Sequence, residues 1–198
     1  LPIFSNDAWT VDSQGSITAY DHDTNTTGTQ NAPWYGRWGH ASVVYQGKLW
    51  VMGGETNGSQ GVVPDSVLRD VWSFDGTTWT RFDHSPIAGI QDAPWSPRTG
   101  MAVSVFNNKI WMTGGLDSYG GFNEVWSFDG SGWIYHGNAP WGGRFEHASA
   151  TYNNKLWIMG GEKIIGIYND LWSFDGTTWT RFDHDAVTSG IQDAPWAK

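Results

Sequence analysis

The sequence predicts an all-β protein built from repeated, four-stranded antiparallel units. Three observations carry that expectation. Long stretches of the 198 residues recur, apolar residues alternate in short runs bounded by turn residues, and no segment holds a 3.6-residue apolar period beyond about one turn. The stretch WSFDGTTWTRFDH runs from Trp72 to His84 and again from Trp172 to His184, with a looser copy, VWSFDGSGWIYHGNAPW, from Val125 to Trp141. GIQDAPW occurs at Gly89–Trp95 and at Gly190–Trp196. A second half repeats as well: HASVVYQGKLWVMGG from His40, MAVSVFNNKIWMTGG from Met101 and HASATYNNKLWIMGG from His147. Its paired glycines fall at 53–54, 114–115 and 160–161, periods of 61 and 46 residues.

Each unit divides into the same four pieces. The first strand is an alternating run such as Ala41–Tyr45, closed by a turn at Gln46-Gly47, Asn107-Asn108 or Asn153-Asn154. The second runs from Lys48 to Met52 and stops at the glycine pair. After a loop of variable length comes a third strand, Val71–Phe74, then Asp75-Gly76, which predicts a two-residue hairpin turn with both positions at positive φ. Thr78–Phe82 is the fourth strand.

Four short antiparallel strands per unit of about 50 residues match the blade of a β-propeller. The chain resembles the kelch family in three features: Gly-Gly after the second strand, an aromatic in the third (Trp72, Trp126, Trp172) and a Trp in the fourth (Trp79, Trp133, Trp179). A Pro-x-x-x-Arg lead-in before each blade adds to this: Pro33 to Arg37, Pro94 to Arg98, Pro140 to Arg144. It is most similar to bacterial kelch proteins with an "APW..R..H" lead-in. The resemblance implies a kelch-type propeller, of which about three and a half blades are present.

Residues 6–34 align with the later half of the last blade, with Trp9 in the third-strand place and Ile17 where the fourth-strand Trp belongs. The expected organisation is a half blade over 1–33, blades over 34–94 and 95–140, and a blade with the lead-in to another over 141–198. Three and a half blades do not close an ordinary ring. The propeller is therefore expected to be incomplete here, with further blades from elsewhere in a longer chain or from another copy.

Composition narrows the function. The chain has no Cys, which excludes a disulfide scaffold, a thiolate zinc site and a cysteine nucleophile. A net charge of −9 argues against a nucleic-acid partner, and no apolar run reaches the ~18 residues of a membrane span. The six histidines are repeat equivalents spread over different blades: His40 with His147, and His22, His84, His136 and His184. Asp21-x-Asp23-x-Asn25 lacks the Gly and Glu of a calcium loop. No metal and no cofactor is expected.

Fifteen tryptophans look at first like a binding surface. Ten are strand residues whose alternation suits packing between blades: Trp9, Trp50, Trp72, Trp79, Trp111, Trp126, Trp133, Trp157, Trp172 and Trp179. Trp34, Trp95, Trp141 and Trp196 follow Ala-Pro in the lead-ins, and with Trp38 they either pack under the loops or meet a ligand. The kelch resemblance implies that Arg37, Arg98 and Arg144 sit at the channel rim. There a guanidinium either pairs with a partner's carboxylate or makes a structural bond to loop carbonyls or to the acidic residues after Gly-Gly. Those acidic residues are Glu55, Asp117 and Glu162, and both groups are expected on one face.

The expected function is a non-catalytic binding module, extracellular or at the cell surface (or periplasmic), that takes a glycan or an acidic peptide or protein segment. The site residues are Arg37, Arg98, Arg144, Trp34, Trp95, Trp141, Glu55, Asp117 and Glu162. Two alternatives stay open. One is an architectural, self-assembling surface component, whose variable loops Thr56–Leu68 and Lys163–Tyr168 carry specificity. The other, implied by the resemblance, is a sugar-processing enzyme of the sialate mutarotase type, with Glu55, Glu162 or His147 as acid or base. Cysteine-linked copper-radical chemistry, also found on this fold, is excluded by the absence of Cys. Asn25-Thr26-Thr27 and Asn57-Gly58-Ser59 would be glycan acceptors in a eukaryotic secretory host.

Overall fold

A computed structural model of the chain describes residues 8–20, 32–34, 36–56, 66–82 and 93–182. Among them every element is a strand. The first full sheet joins β3 (Ala41–Tyr45), β4 (Lys48–Met52), β7 (Val71–Phe74) and β8 (Trp79–Arg81) in that spatial order. Between β4 and β7 a small hairpin forms from β5 (Glu55–Thr56) and β6 (Ser66–Val67). The second sheet is β9 (Ala102–Phe106), β10 (Lys109–Thr113), β11 (Glu124–Phe128) and β12 (Trp133–Asn138). In the third, β13 (Ala148–Tyr152), β14 (Lys155–Glu162), β15 (Ile167–Phe174) and β16 (Trp179–Phe182) follow the same order. All pairs are antiparallel, so each sheet is a four-stranded propeller blade, as the repeats predict. Before them, β1 (Ala8–Val11) pairs with β2 (Ile17–Tyr20).

The first turn of each blade behaves as its residues dictate. Gln46-Gly47, Asn107-Asn108 and Asn153-Asn154 all have positive φ at both positions, the backbone of a tight type I′ hairpin. The Asp-Gly turn does not. Phe74 pairs with Trp79, so four residues make the connection, and only Gly76 is left-handed. Asp75 holds the loop instead: its Oδ1 accepts from the amides of Thr77 and Thr78 at 2.9 and 2.8 Å and from the Thr77 hydroxyl. Asp129 and Asp175 repeat the arrangement. Hydrogen bonds to these ionised carboxylates, backbone donors from Thr78 and Thr177 for Asp75 and Asp175 and the Ser131 side chain for Asp129, bring all three down to about 2.

Second-strand tryptophans fill the space between blades. Trp50 packs edge-on against Phe128 of the next blade at 5.0 Å, and Trp111 against Phe174 at 5.2 Å. Each indole N–H donates to the carbonyl five residues back, at Tyr45, Phe106 and Tyr152, so ring orientation is fixed within the blade. Between the first two blades the Tyr45 hydroxyl adds bonds to the carbonyls of Asn108 and Asp129. Backbone bonds also stitch neighbours together: Gly100 N–H donates to Gly39 and Glu146 N–H to Gly100. Gly39 has φ +61°, and a Cβ there would lie 2.1 Å from the Thr99 hydroxyl, so this stitch needs glycine.

His147 lies in the seam between the second and third blades. Its Nε2 bonds Thr113 Oγ1 at 2.8 Å, Nδ1 has no partner, and burial, then the Arg144 charge, lower its pKa to about 3 against a slight pull upward from Asp170. The folded state thus favours the neutral ring, and between pH 6.5 and about 3 the unfolded chain binds more protons. Stability from this group is complete above pH 6.5 and falls with acidification. The loss expected at pH 5 relative to pH 7 is about 2 kcal/mol. His147→Met, which copies Met101 of the second blade, is expected to flatten that part of the denaturation midpoint measured against pH. A variant as acid-sensitive as the parent would refute this.

Candidate binding face

The lead-in arginines are placed by rigid neighbours. Each follows a Trp that docks edge-to-face on its own blade's fourth-strand Trp: Trp34 on Trp79, Trp95 on Trp133 and Trp141 on Trp179, at interplanar angles of 88°, 82° and 85°. The backbone then hydrogen-bonds the preceding blade, Arg98 N–H to Leu68 and Arg144 N–H to Phe122. The guanidinium points back into its own blade. Nη1 of Arg37, Arg98 and Arg144 donates to the carbonyl of the first glycine in each Gly-Gly pair, at Gly53, Gly114 and Gly160.

A carboxylate at the head of the third strand completes the contact. Arg37 holds Asp70 through two bonds of 2.7 and 2.9 Å, Arg144 holds Asp170 through two of 2.7 and 2.8 Å, and Arg98 meets Glu124 at 2.5 Å. The third-strand indole donates to the same acid: Trp72 to Asp70, Trp126 to Glu124 and Trp172 to Asp170. Burial works to raise the pKa of Asp70 and Asp170, but the Arg and Trp hydrogen bonds outweigh it and hold both below the usual range. Aromatic faces cover the guanidinium, Phe122 at 4.0 Å from Arg98 and Tyr168 at 4.2 Å from Arg144.

This locates the expected site residues and changes the role of several. Arg98 and Arg144 have 0% exposure and Arg37 5%, so none offers a guanidinium to a ligand. The bond to loop carbonyls is there, but the carboxylate partners are not Glu55, Asp117 or Glu162. They are the acids two places before each third-strand Trp, and the repeat Asp70-Val-Trp72, Glu124-Val-Trp126, Asp170-Leu-Trp172 was the available signal. Trp95 and Trp141 are buried and Trp34 is half-buried, which is packing under the loops. Trp38 is 43% exposed. His22, His84, His184, Trp196, the Asp21–Asn25 segment and both glycan acceptor sequences lie outside the described residues.

The acidic residues keep their place on one face. Backbone bridges set Trp38 beside Glu55, Thr99 beside Leu116 and Phe145 beside Glu162, so the strand entering each blade meets the loop leaving it. Between the β5–β6 hairpin and the next blade's loop opens a cleft of about 490 Å³. Glu55, Val67, Pro97, Thr99, Leu116, Asp117, Ser118 and Tyr119 line it. Asp117 Oδ1 accepts from the amides of Tyr119 and Gly120, a turn that carries the 96%-exposed Tyr119 ring. Glu162 is exposed on the third blade, outside this cleft. A second cleft of about 330 Å³ has Trp141, Tyr168, Asp170 and Trp172 in its wall.

A family model described as the KLHDC2/KLHL20/DRC7 Kelch-repeats domain matches residues 4–183. The chain belongs to the kelch-repeat family. Among kelch relatives, it is 31% identical over 103 residues to alpha-scruin of Limulus polyphemus, half of this chain but only 10% of that protein. Its fold is similar to the structure of YjhT, with a TM-score of 0.71 at 20% identity over 94% of this chain and 61% of that one. This kelch chain therefore spans a tenth and about three fifths of the proteins it is compared with. Among its described residues no helix is long and apolar enough to cross a membrane.

Proposed function

We propose that this kelch chain is a non-catalytic, extracellular binding module that takes a carbohydrate in the cleft between the β5–β6 hairpin and the Leu116–Tyr119 loop. The observation that supports it is the cleft's lining. Carboxylates (Glu55, Asp117) and hydroxyls (Thr99, Ser118) suit sugar hydroxyls, while Tyr119, Leu116 and Val67 suit the apolar face of a pyranose ring. An acidic peptide fits less well, because the arginines that would bind it are neutralised within each blade.

Binding of neutral oligosaccharides, measured on a glycan panel and by calorimetry, is expected to weaken by tenfold or more in Tyr119→Ala and in Asp117→Ala. If no glycan binds, or both variants bind like the parent, the reading fails. Turnover of a bound sugar that disappears in Glu55→Gln would replace the binding module by an enzyme. One observation favours a protein contact as a second reading: the β14–β15 hairpin tip exposes Ile164 at 68%, Ile165 at 87% and Ile167 at 49%. Self-association lost in Ile165→Asp would support that architectural role.

A further inference from the structure

The β1–β2 pair repeats the outer half of a blade in register. Trp9 faces Ala19, Thr10 faces Thr18 and Val11 faces Ile17, as Trp72 faces Arg81, Ser73 faces Thr80 and Phe74 faces Trp79. In the three full blades the third strand pairs along its other edge with a second strand: β7 with β4, β11 with β10, β15 with β14. Among the described residues that edge of β1 carries no strand. A row of unpaired backbone groups beside apolar residues is a template for an incoming strand.

The surface such a strand would cover is open as well. In the second blade, Val103, Val105 and Ile110 belong to the apolar cluster that contains Tyr45 and Trp50 from the inner strands of the blade before it. Their counterparts in the first blade are Ser42, Val44 and Leu49. Val44 is 69% exposed and Leu49 half-buried, whereas Ile110 and its third-blade counterpart Leu156 are 0% and 1% exposed. Val11 is 66% exposed, at the place where Phe74, Phe128 and Phe174 meet Leu49, Ile110 and Leu156 across the second and third strands. The open edge and the uncovered face both lack the same thing, a first-and-second-strand hairpin.

We propose that β1 and the Val44–Leu49 face together form an acceptor for one β-hairpin of the repeat's inner type. Its pattern is small and apolar residues alternating to a Tyr, a left-handed two-residue turn, then Lys-Leu-Trp, two apolar residues and Gly-Gly. Recognition combines strand addition at β1 with the docking of its Tyr and Trp on Val44 and Leu49. Those are the contacts that Tyr45 and Trp50 make inside the chain.

The test adds a synthetic peptide of residues 147–161 to the 198-residue chain and follows calorimetry and backbone hydrogen exchange. Saturable binding is expected, with new protection at the β1 amides and no binding of a scrambled peptide. Val44→Asp, at a solvent-exposed position that leaves folding intact by near-ultraviolet dichroism, is expected to weaken binding at least about tenfold, as is alanine for Trp157 in the peptide. Four results overturn the proposal: no binding, protection confined to other strands, Val44→Asp binding like the parent, or a chain that self-associates through Val44 and excludes the peptide.

Discussion

Arg144→Ala is expected to destabilise the chain by roughly 3–5 kcal/mol, because it leaves a buried carboxylate without its counter-charge. Asp170 is 7% exposed and would keep only the Trp172 indole as a donor, and the Gly160 carbonyl would lose its partner too. For a chain of this size each kcal/mol corresponds to about 2–4 °C in the melting temperature, so the midpoint falls by ten degrees or so. Asp170→Asn should recover part of the loss in the Arg144→Met background, since an amide does not need a buried cation. Thermal and urea midpoints of the two single variants and the double variant give the coupling directly. A cost near zero for Arg144→Ala would mean that the ion pair is solvated, contrary to its 0% exposure.

The same substitution at two equivalent tryptophans should give unequal results. Trp111 is 5% exposed between two blades, stacked on His136 at 4.6 Å and set edge-on to Phe174, so Trp111→Ala is expected to cost about 3–5 kcal/mol. Trp157 makes the same hydrogen bond within its own blade, but only Phe182, itself 37% exposed, packs beside it. The neighbouring Tyr152 is 72% exposed where Tyr45 and Phe106 are buried at 3% and 2%. Trp157→Ala is therefore expected to cost roughly 1 kcal/mol. Urea midpoints of the two variants decide it: equal losses would show that the outward face of the third blade is covered.

The blade architecture was legible because repetition multiplies weak local signals. Strand bounds such as Ala41–Tyr45 and Lys48–Met52 follow from alternation between a left-handed turn and a glycine pair, and both match the structure. The Asp-Gly loop was misread because backbone propensity alone favours a two-residue turn. The side chain of Asp75 offers three hydrogen bonds to a four-residue loop, a competition that composition does not reveal. At the candidate site the face was legible and the roles were not. Glu55 and Asp117 line the cleft as expected, whereas Tyr119 and Thr99 emerge only once two loops from adjacent blades are set side by side.

What the sequence determined by itself is the repeated blade, its strand order and the core tryptophans, because periodicity and turn chemistry are local properties of the chain. Only the tertiary structure decided what the arginines do. A guanidinium at a channel rim and one spent on its own blade have the same letters around them, and the difference is whether a carboxylate lies within 3 Å. For Arg37 that carboxylate is 33 residues away, and for Arg98 and Arg144 it is 26. The arginines that looked like a ligand's grip are the clasps of the blades, and the surface left for recognition is the cleft beside them.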